Sequence, residues 1–306
     1  MGVNEQLSDR ERVELTKKSY EHLQLGDNIT IGGHHIGVVC RVEHVKDGMS
    51  AFVISNPNEI TILFKGSYGI KKGTPQTWRD EWFKTNIPIL KAMLSQERRI
   101  PSQLKTASKF LNHVINQFRG SRFYIYGHSL GSINAQFALA NCMHPEAIAA
   151  AYLYEGTNIW LLLTPKERRR VAQMRERIFN YVDIYDPVTL GITETHHMVG
   201  KLCYVDSEPM QPIKQHMWGG YQFNPDGSLK LRKIDQAFLA ESRSEHKLLS
   251  RSGELTDFIE KISSSEEIKK MATEKIDKLT KRYPDHKSLV KLAELFKNEL
   301  LKDEDK

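Results

Sequence analysis

The chain has 306 residues, 40% of them hydrophobic and 27% charged, and its 44 Lys and Arg outnumber its 38 Asp and Glu to leave a formal net charge of +6. That length accommodates one large domain with an appendage and an ample core. Cys40, Cys142 and Cys203 are too few and too scattered for a disulfide scaffold, and no HExxH, CxxC, EF-hand, Walker or dinucleotide pattern calls for a metal or a cofactor.

In chain order, residues 9–24 read as an amphipathic helix. Strands are expected over 36–45 and 51–55, joined at the turn residues Lys46, Asp47 and Gly48, and over 60–64. A helix should start near residue 78. Another is expected over 102–118, where Leu104, Ala107, Phe110, Leu111, Val114, Ile115 and Phe118 keep a 3.6-residue spacing. A strand over 123–126, a helix over 133–140 and a strand over 148–154 follow. Thr164-Pro165 with Glu167 is a capping box with Pro at the first helical position, so a helix begins at 165. Its basic run over 166–170 reads as a solvated face. Strands over 177–183 and 201–205 come next. Residues 221–231 carry a hairpin signal around Asn224-Pro225-Asp226-Gly227. Strands alternating with helices imply an α/β fold, with a mostly parallel sheet covered by helices on both faces.

Within this pattern, Gly127-His128-Ser129-Leu130-Gly131 follows an apolar strand and precedes a helix. This is the context that gives G-x-S-x-G its meaning: a sharp turn that lifts the serine Oγ out of the sheet. Ser129 is therefore the candidate nucleophile. Glycine is needed on both sides because a Cβ would collide across the turn. Such a serine requires an acid and then a histidine downstream, plus an oxyanion site. Asp186 falls just past the strand over 177–183, beside Pro187, and is preferred as the acid over Asp183, which lies within that strand. His216 lies after the next strand and is preferred as the base over the pair His196 and His197. His246 and His286 sit in charged segments that read as solvated. The oxyanion donors expected are the N–H of Leu130 and of Ser67, the latter in the loop after the strand over 60–64, where Gly66 permits close backbone approach.

Phe64-Lys65-Gly66-Ser67, Trp78-Arg79-Asp80-Glu81-Trp82, the serine motif and Asp186-Pro187-Val188 together resemble the class 3 lipase family of α/β-hydrolases. In that family a Phe-x-Gly-Thr/Ser segment supplies the oxyanion residue and an Asp-Pro/Ile-Val segment the acid. Lys65 stands where Arg is common. The opening, Leu7-Ser8-Asp9-Arg10-Glu11 with Leu15 and Tyr20, is similar to a Gram-positive subgroup that includes type VII-secreted phospholipase toxins. The resemblance implies an α/β-hydrolase domain over 1–232, a phospholipid or other lipid ester substrate, no cofactor, a type VII export route and an immunity protein as partner. The polar N-terminus lacks the apolar core of a Sec signal. No run approaches the roughly 20 apolar residues of a membrane span.

The basic balance favours an anionic lipid surface, at about 1 kcal/mol per basic residue near the membrane. Nucleic acid is not expected as a partner, because the basic residues are dispersed and no basic-aromatic signature appears. Residues 159–163, Ile-Trp-Leu-Leu-Leu, belong either to the core or to an acyl pocket or lipid-facing surface. Residues 68–76, with three Gly or Pro, read as a small lid. From 233 to 306 the chain becomes a charged helical extension, which either packs on the hydrolase domain or docks a helical protein partner.

Overall fold

The computed structural model describes residues 2–66, 100–183, 185, 186, 189, 197–208, 210, 212–236 and 239. The expected helix near 78, the lid over 68–76 and nearly all of the extension beyond 236 lie outside the described residues. Two N-terminal helices, α1 (Val3–Gln6) and α2 (Asp9–Lys17), precede the strands β1 (Asn28–Ile31), β2 (His34–His44), β3 (Ser50–Asn56) and β4 (Glu59–Phe64). Then come α3 (Ser102–Gln117), β5 (Arg122–His128), α4 (Leu130–Ala140), β6 (Ile148–Tyr154), α5 (Pro165–Gln173), β7 (Ile178–Val182), β8 (Lys201–Tyr204) and α6 (Pro212–His216).

The eight strands form one sheet in sequential order. The strands β1 to β4 run as an antiparallel meander, and β4 through β8 pair in parallel. A parallel half whose strands alternate with helices is the α/β-hydrolase arrangement expected from the sequence. Such strands bury both faces, and their side chains alternate between them. Phe123 and Ile125 join a core with Leu104, Leu111 and Val114 of α3 and Ile133 of α4. Tyr124 and Tyr126 point the other way, into a core with Leu7, Val13 and Leu15 of the N-terminal segment. On that second face Tyr126 stacks on Tyr152 and Tyr152 on Phe179, with ring centroids 5.1 and 5.4 Å apart, and Arg12 lies over the Tyr152 ring.

Most element bounds agree with the sequence reading to within two residues. Two differ for physical reasons. The helix expected over 9–24 ends as an α-helix at Lys17 and tightens into a 3₁₀ turn over Lys18–Tyr20. That turn delivers the Tyr20 ring to a buried histidine described below. The strand β1 carries no apolar run long enough to announce it. It exists by pairing with β2, and its Ile29 and Ile31 are buried while Asn28 and Thr30 are exposed. The capping box expected at Thr164 is made, its hydroxyl accepting from the N–H of Glu167, and Ser8 caps α2 the same way from the N–H of Glu11. No helix of the described residues is long and apolar enough to cross a membrane.

Candidate active site

The sharp turn is where the sequence puts it. Ser129 follows the last residue of β5 and caps α4 with φ 56° and ψ −126°, a backbone conformation that L-residues rarely adopt. Its N–H donates to the Tyr154 carbonyl at 2.9 Å, continuing the sheet, and its carbonyl accepts from the N–H of Ile133 at 3.1 Å, opening the helix. The glycines explain how the turn fits. A Cβ on Gly127 would lie 2.6 Å from the Gly131 carbonyl oxygen. One on Gly131 would lie 2.1 Å from the Phe64 carbonyl oxygen, so this glycine serves the contact between α4 and the end of β4 rather than the turn itself. A Cβ on Gly66 would meet the Tyr20 hydroxyl at 2.0 Å and the His128 carbonyl oxygen at 2.9 Å. Gly66 thus brings the backbone just past β4 against the turn. Ser67 itself lies outside the described residues. Leu130 is the first residue of α4, so its N–H has no carbonyl partner within the helix. Ser129 is buried, and its Oγ has no hydrogen-bond partner among the described residues.

Asp186 and His216 meet directly. The His216 Nδ1 and Asp186 Oδ2 are 2.7 Å apart, and both side chains are fully buried. Because a carboxylate only accepts, Nδ1 carries the proton and Nε2 is left to exchange one. The rivals are placed elsewhere. His197 stacks on Trp160, and its carbonyl accepts from Asn158. His196 lies outside the described residues. Asp183 is fully buried rather than solvent-facing, but it is bonded to groups other than a histidine, namely the Ser207 hydroxyl, the Tyr185 N–H and the Gln215 amide.

His128 joins this pair to the turn. Its Nε2 lies 2.7 Å from the His216 carbonyl oxygen, and its Nδ1 lies 2.5 Å from the Tyr20 hydroxyl. A carbonyl can only accept, so Nε2–H is the donor. Burial, with a smaller contribution from His216, holds His128 well below the ordinary histidine value. The ring is therefore neutral, and Nδ1 accepts from Tyr20, whose phenol burial pushes upward. Trp218 lies against the His128 ring, with centroids 3.8 Å apart, and itself has φ 61°. The residue before the candidate nucleophile thus grips the backbone of the candidate base.

Behind Asp186 lie two more buried carboxyl groups. Glu155 directly follows β6 with φ 47°; its Oε2 accepts from the N–H of Asp183 at 3.0 Å, and its Oε1 accepts from the Tyr221 hydroxyl. Burial, together with the nearby Asp186 and Asp183, holds Glu155 well above the usual carboxylate range. Burial pushes Asp183 up to about 6, against the opposing pull of its bonds from Ser207 and Gln215.

Sequence reasoning passed over His128, Glu155 and Gln215. His128 was in view inside the motif, but its partners, Tyr20 and His216, are 108 and 88 residues away along the chain. Glu155 did carry a signal: a lone carboxylate directly after the apolar run of β6. One open choice is narrowed and one surface reading changes. In 159–163, Ile159, Leu162 and Leu163 are buried in the core, Trp160 packs against it, and Leu161 alone is 37% exposed. In the basic run, Arg168 donates to the Trp160 carbonyl and Arg170 to the Ala140 carbonyl at the end of α4, so these two cap backbone rather than face solvent freely.

No family model and no curated protein matches the sequence. Among solved structures, the chain is similar to a mutant form of MDLA from Penicillium cyclopium, at 15% identity over 78% of this chain and 92% of that one, with a TM-score of 0.43. It is also similar to a triacylglycerol lipase from Penicillium expansum, at 12% identity over 76% and 85% with a TM-score of 0.43. A lipase from Yarrowia lipolytica matches at 10% identity over 79% and 88%, with a TM-score of 0.41.

Proposed function

We propose that this chain is a serine ester hydrolase acting on lipid esters. One observation carries the reading: Ser129 sits at positive φ between strand and helix, while the buried Asp186–His216 pair is tied to that turn through His128. In the reading, the Ser129 Oγ attacks the acyl carbonyl while His216 Nε2 takes its proton. Asp186 fixes the imidazole tautomer and stabilises the imidazolium. The N–H groups of Leu130 and Ser67 stabilise the oxyanion. His216 then protonates the departing alkoxide, and water, activated by the same histidine, releases the acyl group. This chemistry requires no cofactor.

The finer reading is a phospholipase of the A type working at a membrane surface. It rests on the net charge and on the resemblance to class 3 lipases; type VII export and an immunity protein partner rest on that resemblance alone. A helical partner for the extension over 233–306 is likewise a proposal. The purified protein and its Ser129→Ala variant, assayed on a soluble short-chain ester, on phospholipid vesicles and on a triglyceride emulsion, test both levels. Hydrolysis lost in the variant supports the triad. Fatty acid and lysophospholipid as products from vesicles support the A-type assignment, whereas turnover of the soluble ester alone points to a small-ester esterase or thioesterase. Undiminished hydrolysis by the variant overturns the reading.

A further inference from the structure

The base is carried on a short helix, α6, that ends at His216 itself, and something must fix that helix against the sheet edge bearing Asp186. Gln215, the residue before the base, is fully buried and has both ends of its amide in use. Its Oε1 accepts from the N–H of Met210 at 2.7 Å, and its Nε2 donates to Asp183 Oδ2. The other oxygen of Asp183 accepts from the Ser207 hydroxyl at 2.6 Å, beyond β8, and from the Tyr185 N–H at 2.9 Å, in the turn leading to Asp186. The Asp183 carbonyl accepts from the N–H of Asp186 at 3.0 Å and from the Thr189 hydroxyl at 3.0 Å. Glu155 holds the Asp183 N–H from behind. One residue therefore builds the turn that presents the acid and grips the helix that presents the base.

We infer that Asp183 is a positioning residue of the Ser129 site, setting the His216 imidazole against Asp186 and Ser129 through Gln215. The inference rests on the serine hydrolase reading above. Asp183 is bonded neither to Ser129 nor to the His216 ring; it acts through Gln215 and through the turn that presents Asp186.

The hydrogen-bond polarity of the strut supplies the test. In Asp183→Asn, the amide oxygen still accepts from Ser207 and Tyr185, but its NH₂ faces the NH₂ of Gln215, donor against donor. Flipping Gln215 only transfers the conflict to the Met210 N–H. Adding Gln215→Glu resolves both contacts, because the introduced carboxylate accepts from the new amide at position 183 and from the Met210 N–H alike. Asp183→Asn should lower kcat on a soluble ester by about 10²-fold, the scale of an ångström-sized misplacement, with KM unchanged. The double variant should recover most of the loss. A group that merely fills space would show neither the loss nor the rescue.

A second readout does not depend on turnover. The proton on His216 Nδ1, hydrogen-bonded to Asp186, should give a low-field NMR resonance in the parent protein that broadens or shifts in Asp183→Asn and returns in the double variant. Should Asp183→Asn not fold, Gln215→Met removes the strut from the other side at similar volume and carries the same expectation for kcat and for the resonance. Unchanged kcat and an unchanged resonance in a folded single variant overturn the proposal, as does a double variant that folds without recovery of either. If the parent neither hydrolyses esters nor reacts at Ser129, the hydrolase reading fails by itself, and the resonance series still decides whether Asp183 sets His216.

Discussion

Replacing His128 with Phe isolates what the residue before the nucleophile does. The phenyl ring keeps the contact with Trp218, so the packing term is nearly conserved. Two hydrogen bonds vanish: the one accepted from the Tyr20 hydroxyl and the one donated to the His216 carbonyl. Both orphaned groups belong to buried residues, with Tyr20 8% and His216 0% exposed. Leaving a buried polar group unsatisfied costs roughly 1–3 kcal/mol, so His128→Phe should destabilise the fold by about 2–6 kcal/mol. That is a large share of the roughly 5–15 kcal/mol that separates a typical native domain from its unfolded chain. Tyr20→Phe removes only the first bond and should cost about half as much. Urea unfolding followed by fluorescence measures both, with an unchanged m-value showing that the comparison is one of stability alone. The same preparations are assayed on a soluble ester below their transitions. His128→Phe should lose kcat, because the His216 backbone is no longer tied to the turn. A His128→Phe protein within about 0.5 kcal/mol of the parent, the usual range of an inconsequential substitution, and equally active would refute the brace.

The remaining expectations concern pH, packing and the surface. With its carboxyl raised to about 6 in the fold against about 3.9 unfolded, Asp183 favours the native state fully at low pH and loses that advantage as pH rises through this window, by about 3 kcal/mol in total. The stability of Asp183→Asn relative to the parent should therefore increase by about 2 kcal/mol between pH 4 and 7, and a flat difference in paired urea titrations would contradict the burial argument. Gly131→Ala puts a methyl group 2.1 Å from the Phe64 carbonyl oxygen, so α4 must shift. We expect a loss of about 1–3 kcal/mol in chemical denaturation together with reduced esterase activity, since the same helix carries Ser129. Trp160→Ala, at a residue packed on the core, should lower the melting temperature and reduce activity on soluble and aggregated substrates together. Leu161→Asp, at the exposed neighbour, should leave the melting temperature in place and, if this edge meets lipid, selectively slow hydrolysis of vesicles.

Local signals made much of this protein legible. The strand–turn–helix around Ser129 was readable because glycine spacing and flanking periodicity are short-range facts. Asp186 and His216 were singled out by position alone, one beside a proline at the end of a strand and the other in the stretch after the last strand, and the structure places the two side chains 2.7 Å apart. Asp183, the rival acid, shows what local reading leaves out: besides the Tyr185 N–H two residues on, it is buried where Ser207 and Gln215 converge from two later stretches of chain. Such convergence leaves no periodic trace. The same holds for the covering of the second sheet face by α2, whose Arg12 lies over Tyr152 from far earlier in the chain. Polar and aromatic contacts between segments far apart in sequence were the part that only three-dimensional structure supplied.

Whether Ser129 is an activated nucleophile is decided by reacting the intact protein with a fluorophosphonate probe and analysing its peptides by mass spectrometry. A single adduct is expected on the peptide containing Gly127-His128-Ser129-Leu130-Gly131, formed rapidly by the parent, strongly slowed in Asp186→Asn and absent in Ser129→Ala. A folded parent protein that gains no adduct, or gains it on another residue, would contradict that role.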